Sequence, residues 1–208
     1  MAHEVNNTIG PVNSILQTAL KTAPLWQDAT TTPLHDAMQV AVQRNQNLNS
    51  FMRNFADVVR LPLPVKKTIN LVQLLQSVTT LMQLRAGEKQ IRFRFNLPAT
   101  PFYLQADEQQ LEQALINIVK NAIEAIDSSG EISFTLHPQT RELVITDTGK
   151  GISDEVAEHI FSPFFSTKKD GQGIGLTLVR DILGNHGYTF SLKANADGLT
   201  AFTIQFSN

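Results

Sequence analysis

The sequence predicts an α+β protein in which an antiparallel helical hairpin precedes an α/β domain. Within residues 1–22 and 33–60, apolar side chains recur at steps of three and four, which is the period of an amphipathic helix. The run Leu61-Pro62-Leu63-Pro64 then interrupts any helix, because proline cannot continue one. Beyond it, short apolar or alternating runs typical of strands separate further helical stretches. We therefore expect a hairpin at 1–60, a linker at 61–66 and an α/β domain at 67–208.

Each predicted hairpin helix carries an apolar stripe. The stripe of the first helix consists of Val5, Ile9, Val12, Leu16 and Ala19. That of the second consists of Leu34, Met38, Ala41, Leu48, Met52, Phe55 and Val59, and polar Asn45 in the same ladder either sets the register or faces outward. One hairpin cannot cover both of its own stripes, so we expect two copies to pair as a four-helix bundle. The prediction is a homodimer formed through residues 1–60.

The α/β domain is predicted to contain three long helices and several short strands. Strands are expected near 66–70, at 91–97 where apolar and polar residues alternate, and from Phe102 to Gln105. Helices are expected at 71–86 and at 107–127, the second with Asp107 as its N-cap. Strands at 131–137 and 141–147 follow, then a helix from Gly173 and a closing pair of strands at 189–194 and 200–206.

Between Asp147 and Leu176, three short segments follow a buried apolar strand. They read D-T-G-K-G-I, F-S-P-F-F-S-T-K and G-Q-G-I-G-L. The glycines of the first and third segments let backbone N–H groups approach a ligand that a Cβ atom would keep away. The last of them lie where the sequence turns helical, and a helix N-terminus binds phosphate. The stretch predicts a nucleotide pocket under a lid, although a single G-x-G-x-G pattern is often only a tight turn.

Asn117 and Asn121 lie one turn apart in the predicted helix at 107–127, so they share one of its faces. Asparagine is a mediocre helix former, which argues against two plain surface positions. Its carboxamide oxygen is a hard donor of the kind that Mg²⁺ accepts. We expect Asn121 to contact a magnesium ion and Asn117 to join the network on the phosphate side.

Composition excludes several classes of protein. The 208 residues carry a net charge of −2, so there is no basic field for nucleic acid. The absence of cysteine excludes disulfides and thiolate metal sites. The sequence shows neither an apolar run of membrane-spanning length nor a signal peptide. We expect a cytoplasmic piece that contacts neither nucleic acid nor membrane.

In their order and spacing, the motifs resemble those of sensor histidine kinases, whose ATP-binding domain belongs to the superfamily that includes gyrase, Hsp90 and MutL. The matching segments are Asn117–Ala122 (asparagine box), Asp147–Ile152 (first glycine box), Phe161–Lys168 (phenylalanine box), Gly171–Leu176 (second glycine box) and His3–Asn7 (phosphoacceptor box, H-E-x-x-N). The resemblance covers nearly all of the chain. It implies that the α/β domain is an α/β sandwich with a mixed sheet, the Bergerat-type ATP-binding fold.

The resemblance also implies roles for particular residues. ATP and Mg²⁺ are the implied cofactors, and Asp147 would accept a hydrogen bond from the adenine amine unless it only shapes an Asx turn. His3 would be the nucleophile, Glu4 would orient its ring, and Asn7 would position a water molecule. The implied ATP-binding residues are Asn117, Lys120, Asn121, Asp147, Gly149, Gly151, Ile152, Ser166, Thr167, Lys168, Gly171, Gly173, Gly175 and Leu176, with Asn121 also binding the metal.

The implied reaction transfers the γ-phosphoryl group of ATP to His3 and then to an aspartate of a response regulator. ATPase branches of the superfamily carry a water-activating glutamate where this chain has Asn117, so a hydrolytic switch is the disfavoured alternative. A nucleotide-binding dimerisation module without kinase activity is a second alternative. Because His3 lies almost at the N-terminus, we expect a fragment of a larger sensor whose remaining part could be membrane-anchored.

Overall fold

The computed structural model describes residues 12, 14–20, 35–46, 48, 61–168, 173–194 and 198–207. The chain divides into two compact units, Met1–Arg60 and Leu61–Asn208. In the first unit, residues 14–20 (α1) and 35–46 (α2) are helical, as predicted. The rest of the predicted hairpin, including its connection at 23–32, lies outside the described residues. No helix in the described part of the chain is long and apolar enough to cross a membrane.

The second unit alternates strands and helices as the sequence predicts. Its described elements are β1 (Lys67–Asn70), α3 (Leu71–Glu88), β2 (Ile91–Asn96), β3 (Tyr103–Ala106), α4 (Glu108–Ala125), β4 (Gly130–His137), β5 (Glu142–Asp147), α5 (Asp154–His159), α6 (Gly175–His186), β6 (Thr189–Ala194) and β7 (Thr200–Gln205). Asp107 is the N-cap of α4, as predicted, and its Oδ1 accepts a hydrogen bond from the N–H of Gln110 at 3.2 Å.

The main sheet has five strands in the order β2-β4-β5-β7-β6. β2 runs parallel to β4 and the other neighbours are antiparallel, so the sheet is mixed, as predicted. β1 and β3 form a separate antiparallel pair. The register places Asp147, the last residue of β5, opposite Ile132 of β4 and Thr200 of β7. Asp147 therefore ends a central strand with a neighbour on each side.

Helices α3, α4 and α6 pack on one face of the main sheet, which makes the unit a two-layer α/β sandwich. The strands alternate accordingly: in β4, Ile132 and Phe134 are buried while Ser133 is only half-buried. The helices fill the other half of the core with fully buried side chains such as Leu115 and Ile182. Each such side chain contributes about 1.5–3 kcal/mol to the free energy of unfolding.

Two elements differ from the sequence prediction. Helix α5 was not expected, because its six residues are too few to show a helical period. Its start is marked by Ser153, which accepts a hydrogen bond from the N–H of Val156. Helix α6 begins at Gly175 and not at Gly173. Gly173 has a φ of 65°, in the left-handed region, so it cannot belong to a right-handed helix.

The predicted linker forms the start of the second unit, and three hydrogen bonds join it to the helices of that unit. Gln110 Nε2 donates to the carbonyl of Pro62 at 3.0 Å, and the N–H of Val65 donates to Asp107 Oδ2 at 3.0 Å. Lys66 Nζ donates to the carbonyl of His186 at 2.7 Å. The linker therefore lies against the N-terminal turn of α4 and the C-terminal turn of α6.

His186 joins these two helix ends. Its Nε2 accepts a hydrogen bond from the N–H of Asp107 at 3.0 Å, so Nδ1 carries the proton and donates to the carbonyl of Ile182 at 2.8 Å. Burial lowers the pKa of the ring, which is 1% exposed. His186 is thus a neutral, fully hydrogen-bonded structural residue.

Candidate functional site

Asp147 is a buried carboxylate at the end of a central strand, 7% exposed. Its Oδ1 accepts a hydrogen bond from the N–H of Gly149 at 2.9 Å, so the Asx turn considered as an alternative role is present. Burial raises the pKa of Asp147, and the Gly149 hydrogen bond opposes that shift only in part. Among the described residues, Gly149 is the only hydrogen-bond partner of the carboxylate. A ligand with a hydrogen-bond donor would satisfy this desolvated group.

The first glycine box is fixed to the C-terminal end of α4. A Cβ atom on Gly149 would lie 2.7 Å from Ala125 Cβ, so only glycine allows this packing. The N–H of Lys150 donates to the carbonyl of Ala125 at 3.2 Å. Gly151 has a φ of 76°, and a Cβ placed on it would meet nothing within 4 Å. The glycine at 149 therefore serves close internal packing, while that at 151 faces open space.

The asparagine box and the second glycine box meet between α4 and α6. Asn117 Nδ2 donates to the carbonyl of Gln113 at 3.0 Å, which directs Oδ1 towards the start of α6. A Cβ on Gly175 would lie 3.1 Å from that oxygen, so glycine permits the contact. Residue 174 provides no side-chain cap for α6, so the first N–H groups of the helix have no side-chain acceptor. This helix end has the chemistry of an anion site.

The phenylalanine box is attached at its beginning by aromatic and backbone contacts. The ring of Phe161 makes edge-to-face contacts with Phe190 of β6 and Phe202 of β7, at centroid distances of 5.1 and 6.2 Å. Arg180 Nη1 donates to the carbonyl of Phe161 at 3.1 Å. Phe161 is therefore an anchor of this segment.

A tight contact between the phenylalanine box and the second glycine box explains Gly173. The N–H of Phe164 donates to the carbonyl of Gly173 at 3.0 Å, and a Cβ on Gly173 would lie 2.4 Å from the carbonyl carbon of Phe164. Phe164 itself has a φ of 66° and is 54% exposed. Phe164 therefore does not anchor the segment through burial. A non-glycine residue in the left-handed region marks a strained turn here.

Lys168 connects the phenylalanine box to α4. Its Nζ lies 3.5 Å from Asn121 Oδ1 and makes a short contact with Glu124 Oε2. Lys120 Nζ lies 3.9 Å from the other oxygen of Glu124. We call Lys120, Asn121, Glu124 and Lys168 the Asn121 cluster. From the sequence, Glu124 is expected to be a structural or solvated residue, although its position one turn after Asn121 also makes it a conceivable polar contact of the site.

The donor atoms of the Asn121 cluster suit a hard cation. Asn121 Oδ1 and Glu124 Oε2 already contact an ammonium group, which shows that both oxygens face a common cationic position. An amide oxygen and a carboxylate are ligands that Mg²⁺ accepts, with water and phosphate oxygens completing its coordination. The described residues contain no group of three or more acidic or histidine side chains that would hold a metal alone. The site thus fits Mg²⁺ bound together with a phosphate ligand.

The remaining predicted residues divide into two groups. Ile152 and Leu176 are half-buried, Thr167 is exposed, and Ser166 Oγ accepts a hydrogen bond from the N–H of Lys168 at 3.1 Å. His3, Glu4, Asn7 and Gly171 lie outside the described residues. None of the predicted residues lines the groove of about 540 Å³ between α3 and β2, which is bordered by Thr79, Gln83 and Phe93 among others. That groove is separate from the site.

Residues 106–208 match the family described as "Histidine kinase-, DNA gyrase B-, and HSP90-like ATPase". The sensor histidine kinase ZraS of Salmonella typhimurium (strain LT2) is 30% identical over 207 residues, covering 98% of this chain and 43% of ZraS. The sensor protein FixL of Bradyrhizobium diazoefficiens is 28% identical over 207 residues, covering 97% of this chain and 41% of FixL. The chain thus spans less than half the length of these relatives.

Solved structures agree with the sequence comparisons. The catalytic domain of histidine kinase ThkA superposes with a TM-score of 0.60 at 30% identity, covering 68% of this chain and 94% of that domain. The Acinetobacter baumannii histidine kinase AdeS superposes with a TM-score of 0.63 over 97% of both chains at 23% identity, a likeness of fold alone.

Proposed function

This chain belongs to the sensor histidine kinase family, and we propose that it transfers the γ-phosphoryl group of ATP to His3 and from there to an aspartate of a response regulator. The observation that carries the proposal is the meeting of three boxes in one place. The end of β5 with Asp147, the face of α4 with Asn117 and Asn121, and the uncapped start of α6 are linked by direct contacts.

The parts of ATP would occupy different parts of this site. The Asp147 carboxylate would accept a hydrogen bond from the exocyclic amine of adenine, a donor that guanine does not offer at that position. The N–H groups at the start of α6 would bind phosphate oxygens, and Lys168 would add positive charge. Asn121 would bind Mg²⁺, which neutralises phosphate charge when it is present. Lys120 is paired with Glu124 and would act at longer range.

Asn117 favours phosphoryl transfer to a protein side chain over hydrolysis. Its amide donates to the carbonyl of Gln113 and cannot take a proton from water. The site therefore lacks a general base at the position where the ATPase branches carry glutamate. A nucleophile that needs little deprotonation, such as neutral imidazole, would react in preference to water.

His3 would supply that nucleophile. One ring nitrogen would attack the γ-phosphorus as the bond to the β–γ bridging oxygen breaks, so that ADP leaves and phosphohistidine forms. Glu4 would accept a hydrogen bond from the other ring nitrogen and stabilise its developing charge. The phosphoryl group would then pass to an aspartate oxygen of the regulator, regenerating the imidazole. Pairing of two chains through residues 1–60 would bring the helical hairpins into one four-helix bundle.

The test compares His3→Gln with the matched control His35→Gln. The unmodified chain and His35→Gln should acquire acid-labile, alkali-stable phosphate from labelled ATP and Mg²⁺, and His3→Gln should acquire none while still binding ATP. Because the sequence predicts His3 to lie on the exposed face of a helix, the substitution should change the free energy of unfolding by no more than about 0.5 kcal/mol. Phosphohistidine in His3→Gln would overturn the assignment of the acceptor.

The spacing of Asn7 favours a second activity, dephosphorylation of the regulator. In the predicted helix, Asn7 would follow His3 by one turn and share its face, and the resemblance to the H-E-x-x-N box implies that it orients water towards a phosphoaspartate. Asn7→Ala should keep most of the autophosphorylation and slow dephosphorylation of the phosphorylated regulator. Equal loss of both activities would show that Asn7 supports the helix and does not position water.

A further inference from the structure

We propose that Glu124 is a positioning residue that opposes nucleotide binding by holding Lys168 on Asn121. This inference rests on the proposed function, because it concerns the same ATP site. The ammonium of Lys168 contacts both Asn121 Oδ1, at 3.5 Å, and Glu124 Oε2. It therefore occupies the position at which Asn121 would bind Mg²⁺.

Two cations cannot share this position. An ammonium and a Mg²⁺ ion within a few ångströms repel each other strongly in a partly buried site, and Asn121 offers a single oxygen. Binding of ATP with Mg²⁺ therefore requires Lys168 to leave Asn121. The charge that makes leaving unfavourable is that of Glu124, since Asn121 is neutral.

The attachment of the phenylalanine box shows why this contact matters. Phe161 is held by rings and by Arg180, and Phe164 is held by Gly173. From Ser166 to Lys168, the described backbone makes no hydrogen bond to another element, and Lys168 N–H bonds only to Ser166 Oγ. The side-chain contact with α4 is thus what attaches this end of the box to the site.

Glu124 keeps an ion-pair partner when Lys168 moves away from it. Lys120, four residues earlier on the same helix, lies 3.9 Å from Glu124 Oε1 and remains as its partner. The Lys168–Glu124 pair is partly exposed, with 38% and 37% of the side chains accessible. Exposed pairs change equilibria by about 1.4- to 5-fold, so Glu124 is expected to adjust ATP affinity and not to abolish it.

The experiment is a double-mutant cycle in which calorimetry measures the Kd for ATP. The titrations contain EDTA, which removes Mg²⁺, so that phosphoryl transfer does not take place during the measurement. Glu124→Gln should bind ATP about 1.4- to 5-fold more tightly than the unmodified chain, because Lys168 is released towards the phosphates. Lys168→Met should bind more weakly. The double variant should bind as Lys168→Met does, because Glu124 acts only through Lys168. Glu124→Asp should restore part of the restraint.

The control Glu112→Gln removes the same charge from the same helix three turns earlier and should leave ATP affinity unchanged. Equal tightening by Glu124→Gln with and without Lys168 would show a general charge effect and overturn the inference, as would no tightening at all. These results would leave the proposed function intact as long as the unmodified chain binds ATP. Failure of the folded, unmodified chain to bind ATP in EDTA or in Mg²⁺ would overturn both.

Discussion

Asp147→Asn separates the two roles of this buried carboxylate. The Asx turn needs only an oxygen at Oδ1 to accept the Gly149 N–H, and the carboxamide of asparagine supplies one. Adenine recognition needs an acceptor on the ligand side as well, and there the amide presents an NH₂ group. The substitution should therefore preserve the turn and weaken ATP binding.

The magnitude follows from the kind of hydrogen bond that is lost. A charge-assisted hydrogen bond contributes about 1.5–3 kcal/mol, which corresponds to roughly a 10- to 150-fold increase in the Kd for ATP. Calorimetric titration with ATP measures this directly. Unchanged affinity in a folded Asp147→Asn chain would refute the adenine role and leave the Asx turn as the whole explanation.

Stability should respond in the opposite direction. Burial raises the pKa of Asp147, so the folded chain binds its proton more tightly than the unfolded chain does. This contribution to stability is complete below the unfolded pKa of 3.8 and is lost as pH rises through the raised pKa of the folded state. At pH 7 the ionised, buried carboxylate therefore lowers the free energy of unfolding, and Asp147→Asn should unfold at a higher urea concentration than the unmodified chain. The advantage should shrink as pH falls towards 4.

Three further predictions concern elements around the site. Gly173→Ala should destabilise the second unit by more than about 1 kcal/mol in urea unfolding, because φ of Gly173 is positive and a Cβ atom would clash with Phe164. In contrast, Gly184→Ala should stabilise α6 by about 0.5–1 kcal/mol, because a Cβ atom at Gly184 would meet nothing within 4 Å. Asp107→Ala should cost about 1–2 kcal/mol of unfolding free energy, and Asp107→Asn much less, because asparagine also caps helices. Burial raises the pKa of Tyr188 to about 12, so the unfolded chain releases this proton at a lower pH than the folded chain does. Between pH 10 and 12, the free energy of unfolding of the unmodified chain should therefore fall by up to about 2.7 kcal/mol relative to that of Tyr188→Phe. Equal alkaline sensitivity of the two chains would contradict the last prediction.

Features of the fold that depend on local chemistry could be predicted from the sequence. Helix α4 and its cap at Asp107 follow from apolar spacing and one side-chain acceptor, both of which are local. The sequence prediction placed the start of α6 two residues early, because the sequence does not show that Gly173 has a positive φ and bonds to the N–H of Phe164. Helix α5 escaped detection because one and a half turns carry no measurable period.

The candidate site was predictable for a different reason, the resemblance of its motifs to a family. Periodicity alone could not bring Asp147, Asn121 and Lys168 together, since they lie on three elements. Glu124 was expected to be structural or solvated because a glutamate on a helix surface usually is, and because its partner comes 44 residues later in the chain. The internal contacts of Gly149 and Gly173 were missed for the same reason: they involve chain segments that meet only in the folded structure.

The attachment of Leu61–Lys66 to Asp107, Gln110 and His186 has a practical consequence for protein engineering. A prolyl segment between two units is an obvious place to join a new upstream module to the catalytic part. Here, a junction at residue 67 would delete the Pro62 carbonyl, the Val65 N–H and the Lys66 ammonium, which bond to the ends of α4 and α6. Gln110, whose side-chain oxygen has no hydrogen-bond partner among the described residues, would also lose the Pro62 carbonyl that accepts from its Nε2, at a cost of about 0.5–1.5 kcal/mol. Chimeric sensors built from this chain should be joined before Leu61, so that residues 61–66 are kept together with the helices that they contact.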